Sequence, residues 1–253
     1  MTGADDGPAR SLAVEGFRDG ARYDSVRPDY PVAALDYLTR AAGLTRSSRV
    51  LDLGAGTGIL TRQLLGYVDD VVAVEPTAGM RDVLRRALPE VTALDGRDVA
   101  IPLADASLDA VFVAQAFHWF DAPRALDEIR RVLRPGATLA LLWNERDETV
   151  PWVGDLSRAM RWDVCMPYEV GRDFAPVVAA GPFVDVERRS FDHHQVLTRE
   201  ALYRLVLTRS YVAVMTDDER APLMAQVERV VEALDEPVTL PYVTEVYRAT
   251  ASP

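Results

Sequence analysis

The chain contains no lysine; each of its 28 basic residues is an arginine. Schiff-base chemistry, attachment of pyridoxal phosphate and lysine general bases are therefore excluded. Cysteine is nearly absent, and Cys165 alone can form neither an intrachain disulfide nor a cysteine-rich metal site, a pattern that fits a reducing cytoplasm. Histidine is scarce, and the His193-His194 pair has no partner at metal-ligand spacing, so no metal site is expected. Long apolar runs are missing too: no segment reaches the roughly 18 continuous apolar residues that a membrane helix requires. The polar, acidic stretch from Met1 to Arg10 reads as neither a signal peptide nor an anchor. Finally, there is no excess of positive charge. At −11 the chain is poorly suited to neutralising the phosphates of a nucleic acid or an anionic membrane, which leaves a small molecule as the expected ligand of a monomer or homodimer.

What the sequence does have is size and pattern. With 253 residues, 49% of them hydrophobic and 26% charged, it can build one large α/β domain with a helical embellishment. The most informative stretch is Val50-Leu51-Asp52-Leu53-Gly54-Ala55-Gly56-Thr57-Gly58, followed by Ile59-Leu60. An apolar approach, an acid, three glycines on alternate positions and then a helical pattern describe a buried strand turning into a helix, which is how α/β sheets build a nucleotide crevice. Glycine lets the backbone approach a ligand that a Cβ would hold off, and a helix start presents N–H groups to an anionic group. A dinucleotide fingerprint would need glycine where Ile59 stands, and a phosphate-cradling P-loop would need a lysine, so neither fits. A glycine-rich turn with no ligand is the alternative. Downstream, Asp70-Val71-Val72-Ala73-Val74-Glu75-Pro76 reads as a buried parallel strand ending on an acid. Glu75 stands about 20 residues beyond the turn, the distance at which a carboxylate accepts both ribose hydroxyls in nucleotide-binding βαβ units. A cap for the next helix is its other reading.

The D-x-G-x-G-x-G run from Asp52 to Gly58 resembles the first motif of class I S-adenosylmethionine-dependent methyltransferases. The resemblance runs from about Phe17 to Tyr247, carried by five short stretches. It implies an α/β fold, a doubly wound seven-stranded and mostly parallel Rossmann-like sheet with a helical cap. A single methyltransferase domain would span residues 1–253, with an N-terminal arm over the cofactor at 1–31 and cap elements at 148–182 and 199–235. The implied cofactor is S-adenosyl-L-methionine, its methionine end held by Asp52, Gly54, Ala55 and Gly56. The run from Tyr23 through Arg27-Pro28-Asp29-Tyr30-Pro31 is similar to the family's arm and puts Tyr23 and Arg27 near that end; a planar guanidinium fork suits a carboxylate. Glu75, Pro76 and Met80 would line the ribose and adenine. At Gly96-Arg97-Asp98-Val99 the family usually shows Gly-x-Ala-Glu; here Asp98 replaces the alanine and Val99 the acid. Arg97, Asp98 and Val99 are still expected along the adenine, with Asp98 taking its amino group from a neighbouring position.

Strand four, expected over Asp109–Gln115, leads into Ala116-Phe117-His118-Trp119-Phe120-Asp121, and this run resembles the strand-four signature of small-molecule methyltransferases related to the trans-aconitate methyltransferase group. Gln115 is expected on the cofactor. Phe117 and Trp119 would face substrate, since an aromatic wall suits a sulfonium, and His118 is a candidate general base for a hydroxyl or amine nucleophile. The alternative is a core aromatic run with His118 bonded only to backbone. Strand five, Ala137–Trp143, delivers Trp143-Asn144-Glu145-Arg146-Asp147, similar to the family's Trp-Asn-x-Arg-Asp, so Trp143, Asn144 and Arg146 become candidates to face the acceptor. From Val150 to Gly181 the scattered Trp152, Met160, Trp162, Met166 and Tyr168 read as a cap that shapes the acceptor pocket. Strand six over Phe183–Thr198, one or two helices over Arg199–Leu234 and strand seven over Val238–Thr250 complete the pattern. The expected reaction is transfer of a methyl group to an oxygen, nitrogen or carbon of a small acceptor, a carboxylate or natural product among the candidates. A nicotinamide-dependent oxidoreductase and a non-methylating S-adenosylmethionine-binding protein are the rivals.

Overall fold

The computed structural model describes residues 24–161 and 173–253. They form two compact units: a sheet unit of residues 29–145, 173–193 and 243–253, and a helical unit of residues 24–28, 146–161 and 194–242. The strands are β1 (Arg49–Leu53), β2 (Asp70–Val74), β3 (Thr92–Leu94), β4 (Leu108–Ala114), β5 (Leu133–Arg146), β6 (Phe183–Leu197) and β7 (Val238–Ala251), in a seven-stranded sheet of order β3-β2-β1-β4-β5-β7-β6. The pairs β1–β2, β1–β4, β2–β3 and β4–β5 are parallel. This is the doubly wound, Rossmann-like architecture expected from the sequence.

Parallel strands covered on both faces must be apolar on both faces, and the sequences Val71-Val72-Ala73-Val74 and Ala110-Val111-Phe112-Val113 meet that demand. Leu51, Leu53, Val72, Val74, Val111, Val113, Leu139 and Leu141 enter one core, while the alternate residues Val50, Val71, Ala110, Phe112, Ala140 and Leu142 enter the other. Helix α1 (Val32–Ala41) closes the second core with Leu35 and Leu38, and ends where Gly43 adopts a φ of +63°. Helices α2 (Ile59–Leu64) and α3 (Ala78–Ala87) follow β1 and β2. Helix α4 (Ala122–Val132) closes the first core with Leu126, Ile129 and Val132.

Strand β5 is longer than the sequence pattern predicts. The expected turn at Arg134-Pro135-Gly136 is an irregularity inside it: Leu108 pairs with Leu133 but Ala110 with Thr138, and Gly136 takes the surplus residues through a φ of +79°. In the helical unit, α5 (Pro151–Ala159), α7 (Arg199–Leu207), α8 (Ser210–Ala213) and α9 (Asp217–Glu232) gather Val153, Leu156, Leu202, Leu205, Val227 and Val231 into one core. Three helices stand where one or two were expected, because Thr216 starts a new one. Its hydroxyl accepts from the backbone N–H of Glu219 while Glu219 accepts from the backbone N–H of Thr216. The short helix α6 (Ala175–Ala179), in the stretch expected as cap, belongs to the sheet unit, where Phe174 and Val178 enter the first core. The arm up to Tyr23, and Trp162, Met166 and Tyr168 of the expected cap, lie outside the described residues. No helix among the described residues is long and apolar enough to cross a membrane.

Candidate active site

The three alternate glycines differ in what surrounds them. All have φ in the left-handed region, +75° at Gly54, +57° at Gly56 and +90° at Gly58, where a Cβ is strained. A Cβ on Gly54 would stand 2.8 Å from the Ala116 Cβ, so this glycine admits the end of β4. One on Gly58 would stand 2.9 Å from the Leu84 side chain, so this glycine seats α3. Nothing lies within 4 Å of a Cβ on Gly56. Gly56 is therefore the glycine whose missing side chain leaves open space above the turn. Ala55 between them is buried in a small apolar cluster with Ala73 and Leu84.

Two carboxylates support the turn. Glu75, at the end of β2 and 7% exposed, accepts the backbone N–H of Gly56 at 3.0 Å and of Thr77 at 2.8 Å. Burial raises its pKa, and the two backbone N–H bonds and Arg81 counter part of that rise. The same Arg81 donates to the Glu75 carbonyl at 2.6 Å and lies 3.3 Å from Asp95, fixing the strand end. Asp52 is placed beneath the turn, 1% exposed, accepting the Thr61 hydroxyl at 2.6 Å. Burial pushes its pKa up to about 7, with the nearby Glu75 adding to the rise.

On the neighbouring strands, Gln115 ends β4 with a φ of +55°, a conformation that costs a non-glycine residue about 1 kcal/mol. It is held there by its backbone N–H to the Leu142 carbonyl at 2.9 Å and its side-chain amide to the Asn144 carbonyl at 3.1 Å. This kink ends β4, and Phe117–Trp119 form a single 3₁₀ turn instead of a continued strand. The Trp143 indole N–H donates to Nδ1 of His118 at 3.2 Å. An indole is only a donor, so Nδ1 presents its lone pair and the neutral ring carries its proton on Nε2. Trp143 itself is 5% exposed and stacks on Phe174 at 4.3 Å with the planes 3° apart, its edge against Tyr247.

The other expected site residues divide. Phe117 leaves the expected aromatic wall: it is 1% exposed and packs edge-on against Phe120 and Phe174, because the 3₁₀ turn directs it into the core. Trp119 remains half-buried, its ring 4.8 Å from that of His118. Asn144 is a structural tie: its amide donates to the Asp29 carbonyl at 2.8 Å and accepts the Thr244 hydroxyl at 2.6 Å. Met80 is buried in α3, Pro76 and Arg97 are exposed, and Val99 is half-buried. Asp98 is 2% exposed and accepts the backbone N–H of Asp121 at 3.1 Å, at the start of α4. Arg27 and Arg146 belong to the helical unit; Arg27 donates to the Thr208 carbonyl at 2.7 Å and Arg146 to the Ser157 hydroxyl at 3.2 Å. Tyr23 lies outside the described residues.

Sequence reasoning missed Gln63, whose amide exchanges two hydrogen bonds with the backbone of Tyr30, at 2.9 and 2.7 Å, and so ties Tyr30 to α2. It also missed Thr61, Thr244 and Phe174. Of these only Thr61 had a local signal, since a threonine on the first turn of the helix after D-x-G-x-G-x-G is within reach of the aspartate.

A family model described as a methyltransferase domain matches residues 51–141, from β1 into β5. An uncharacterized methyltransferase of Mycobacterium tuberculosis is 44% identical over 237 residues, covering 90% of this chain and 92% of its own. A fission-yeast protein, an uncharacterized methyltransferase-like protein of Schizosaccharomyces pombe, is 33% identical over 89% of this chain and 90% of its own. Among solved structures, the YcgJ protein of Bacillus subtilis superposes with a TM-score of 0.58 at 18% identity, covering 87% of this chain and 99% of that one. Phosphoethanolamine N-methyltransferase 2 of Haemonchus contortus in complex with S-adenosyl-L-methionine does so with a TM-score of 0.56 at 14% identity, over 95% of this chain and 57% of that one. At these identities the two structures speak for the fold alone.

Proposed function

The chain belongs to the methyltransferase family of these relatives, and from that premise we propose that it uses S-adenosyl-L-methionine to methylate a small-molecule acceptor. The observation that carries the reading is Glu75, a buried carboxylate bound to the Gly56 N–H beside the open space above that glycine. The residues present fit such a cofactor. The oxygens of Glu75 accept the backbone N–H groups of Gly56 and Thr77, with the Thr77 side chain as a further partner, and the carboxylate's remaining acceptor capacity suits a ribose hydroxyl. The glycine turn leaves room for the methionine end above Gly56. Val99 and Asp98 suit the adenine side. Asp52 serves the site from below, as the anchor of the turn through Thr61.

When bound, the cofactor supplies a methyl group activated by a sulfonium. The chain's own share is positioning, which accounts for most of the rate in a displacement that needs only alignment of nucleophile and methyl carbon. With Trp143 donating to Nδ1, His118 offers an N–H at Nε2, and its role is to donate a hydrogen bond to an oxygen of the acceptor. We propose this donor role in place of the general-base role expected from the sequence. Trp143 and Phe174 hold the imidazole in that orientation, and Trp119 provides an aromatic face beside it.

Calorimetric titration with S-adenosyl-L-methionine and with NAD tests the cofactor; binding of NAD alone would overturn the reading. Mass spectrometry of S-adenosylhomocysteine formation across a panel of acids, phenols and amines tests the transfer. Cofactor binding with no product from any acceptor points to the non-methylating alternative.

A further inference from the structure

One charged pair on α4 directs its hydrogen bonds at a single loop of the sheet unit. The loop leaves β3 and doubles back: Arg97 and Ala100 exchange backbone hydrogen bonds at 3.3 and 3.0 Å, which puts Asp98 and Val99 at the tip of a two-residue turn. Its base is tight, because a Cβ on Gly96 would stand 2.6 Å from Pro102 and 3.0 Å from Val74, the residue before Glu75. The Glu75 backbone N–H also donates to the Leu94 carbonyl at 3.1 Å, so the loop rises from the same strand ends as the buried carboxylate. Residues 101–103 belong to no strand, and their backbone partners come from α4. The Ile101 N–H donates to Glu128 Oε1 at 2.8 Å, and Arg131 Nη2 donates to the Ile101 carbonyl at 2.9 Å. Arg131 Nη1 donates to the Leu103 carbonyl at 2.9 Å and to Asp105 at 2.6 Å. Its Nε and Nη2 donate to the two oxygens of Glu128 at 2.8 and 2.7 Å, which engages every N–H of the guanidinium. At its other end α4 presents the Asp121 backbone N–H to Asp98.

The core does not need this pair. Leu126, Ile129 and Val132 seat α4, and ladders to β2, β1 and β5 seat β3 and β4. The Arg131 side chain is 32% exposed, and ion pairs so placed add little to stability. What sets the pair apart is its direction: its backbone partners, Ile101 and Leu103, follow directly on the turn that carries Asp98 and Val99. The Ile101 side chain anchors the loop in the first core, and the pair fixes the orientation of its backbone. Mutual pairing lowers the pKa of Glu128 and raises that of Arg131, so both stay charged through the neutral range. We propose that Arg131 and Glu128 are positioning residues for the adenine of the cofactor, holding the loop of residues 96–103 in the shape that presents Asp98 and Val99. The inference rests on the cofactor reading of Glu75 and the glycine turn, and deepens it. The pair acts through the loop, and an apparent Kd scales inversely with the fraction of molecules in the binding conformation. Arginine suits the task because its planar fork meets a carboxylate and two carbonyls at once, whereas a lysine offers three donors from one point.

The test is calorimetric titration of the full chain with S-adenosylhomocysteine and with methylthioadenosine, which keeps adenine and ribose but has no methionine end. It is run on the wild type, Arg131→Met, Arg131→Lys, Glu128→Ala and Asp105→Asn, well below the thermal midpoint of each. The wild type binds both ligands. With the loop in its binding shape only about a fifth of the time, both Kd values rise about fivefold in Arg131→Met and Glu128→Ala, and by a smaller factor in Arg131→Lys. Asp105→Asn removes only the exposed ion pair to Arg131 and stays within about twofold of the wild type. Amide hydrogen exchange at Ile101 accelerates in Arg131→Met and Glu128→Ala, while the amides of β1 and β4 keep their protection. Failure of S-adenosylhomocysteine to bind the wild type overturns the cofactor reading, and this inference with it. Wild-type binding with unchanged Kd values in Arg131→Met and Glu128→Ala leaves the cofactor reading standing and overturns the positioning role, even where the thermal midpoint falls. Weaker S-adenosylhomocysteine binding with methylthioadenosine unaffected overturns it too, by placing the effect at the methionine end. Should Arg131→Met fail to fold, Glu128→Ala and Arg131→Lys decide.

Discussion

His118 shows why residue chemistry has to be read with its partner. Alone in the sequence, an imidazole beside an aromatic run suggests a base. The Trp143 indole at 3.2 Å occupies the nitrogen that would accept the proton, and leaves Nε2–H as a donor. His118→Gln keeps an N–H near the Nε2 position, so its kcat falls by less than about tenfold, whereas His118→Ala loses on the order of 10²-fold, the scale of one lost transition-state hydrogen bond. Equal and severe losses in steady-state assays of both variants would restore the general base. Glu75 is the complementary case: its distance to the glycine turn alone pointed to it, and the structure bonds it to the Gly56 N–H, while its ribose role is the proposal. Glu75→Gln should weaken S-adenosyl-L-methionine binding by roughly 1–3 kcal/mol, the value of charge-assisted hydrogen bonds to a buried acceptor. Unchanged affinity by calorimetry would refute the ribose role. The partners 25 residues apart in His118–Trp143 and 100 apart in Asn144–Thr244 had no local signal, so the sequence could not show that the Asn144 amide meets Asp29 and Thr244.

At the scale of elements, the strands were legible because burial on both faces demands continuous apolar runs, as in Val71–Val74 and Ala110–Val113. The glycine turn was legible as a turn, but its division of labour was not, since it depends on Ala116 and Leu84. Gly54→Ala forces a contact at 2.8 Å with Ala116 on top of an unfavourable φ, and should destabilise the fold by about 1–3 kcal/mol in urea denaturation. Gly56→Ala meets open space, so it costs only the φ strain of about 1 kcal/mol while its methyl intrudes on the proposed cofactor. Cofactor affinity should therefore drop at least about tenfold in Gly56→Ala, with stability close to that of the wild type. If Gly54→Ala and Gly56→Ala behave alike in both measurements, the assigned roles fail. Helix breaks after Leu207 and at Thr216 were harder to see than helix existence, because a capping box inside a polar stretch competes with continued helical periodicity.

For the molecule as a whole, the carboxylates divide by the pH at which they act. Glu128, Glu187 and Glu219 have pKa values lowered from 4.5, through the Arg131 pair, the Tyr37 and Arg248 bonds, and the Thr216 backbone bond respectively. A lowered carboxylate stabilises fully above its ordinary pKa and loses that contribution as pH falls through the folded value, so these three act below about 4.5. Asp52 has the opposite sign. Its pKa rises from 3.8 to about 7 through burial, so between those values the folded state holds a proton the unfolded chain has released, and stability falls as pH rises. Glu75, also raised by burial, adds to the same slope. From pH 5 to 7.5 the unliganded protein should lose roughly 2–3 kcal/mol through Asp52, measurable as a falling thermal midpoint. Asp52→Asn keeps an acceptor for Thr61 but cannot ionise, so its midpoint should fall less steeply across that interval, with only the Glu75 contribution left; an Asn variant with the wild-type slope would show that Asp52 is not the titrating group. A cationic cofactor above the turn favours both carboxylates ionised, so its binding should release protons near pH 6 and its affinity should rise with pH. Calorimetry in two buffers of different ionisation enthalpy measures that release directly, and a cofactor that binds without it does not sit near Asp52 and Glu75.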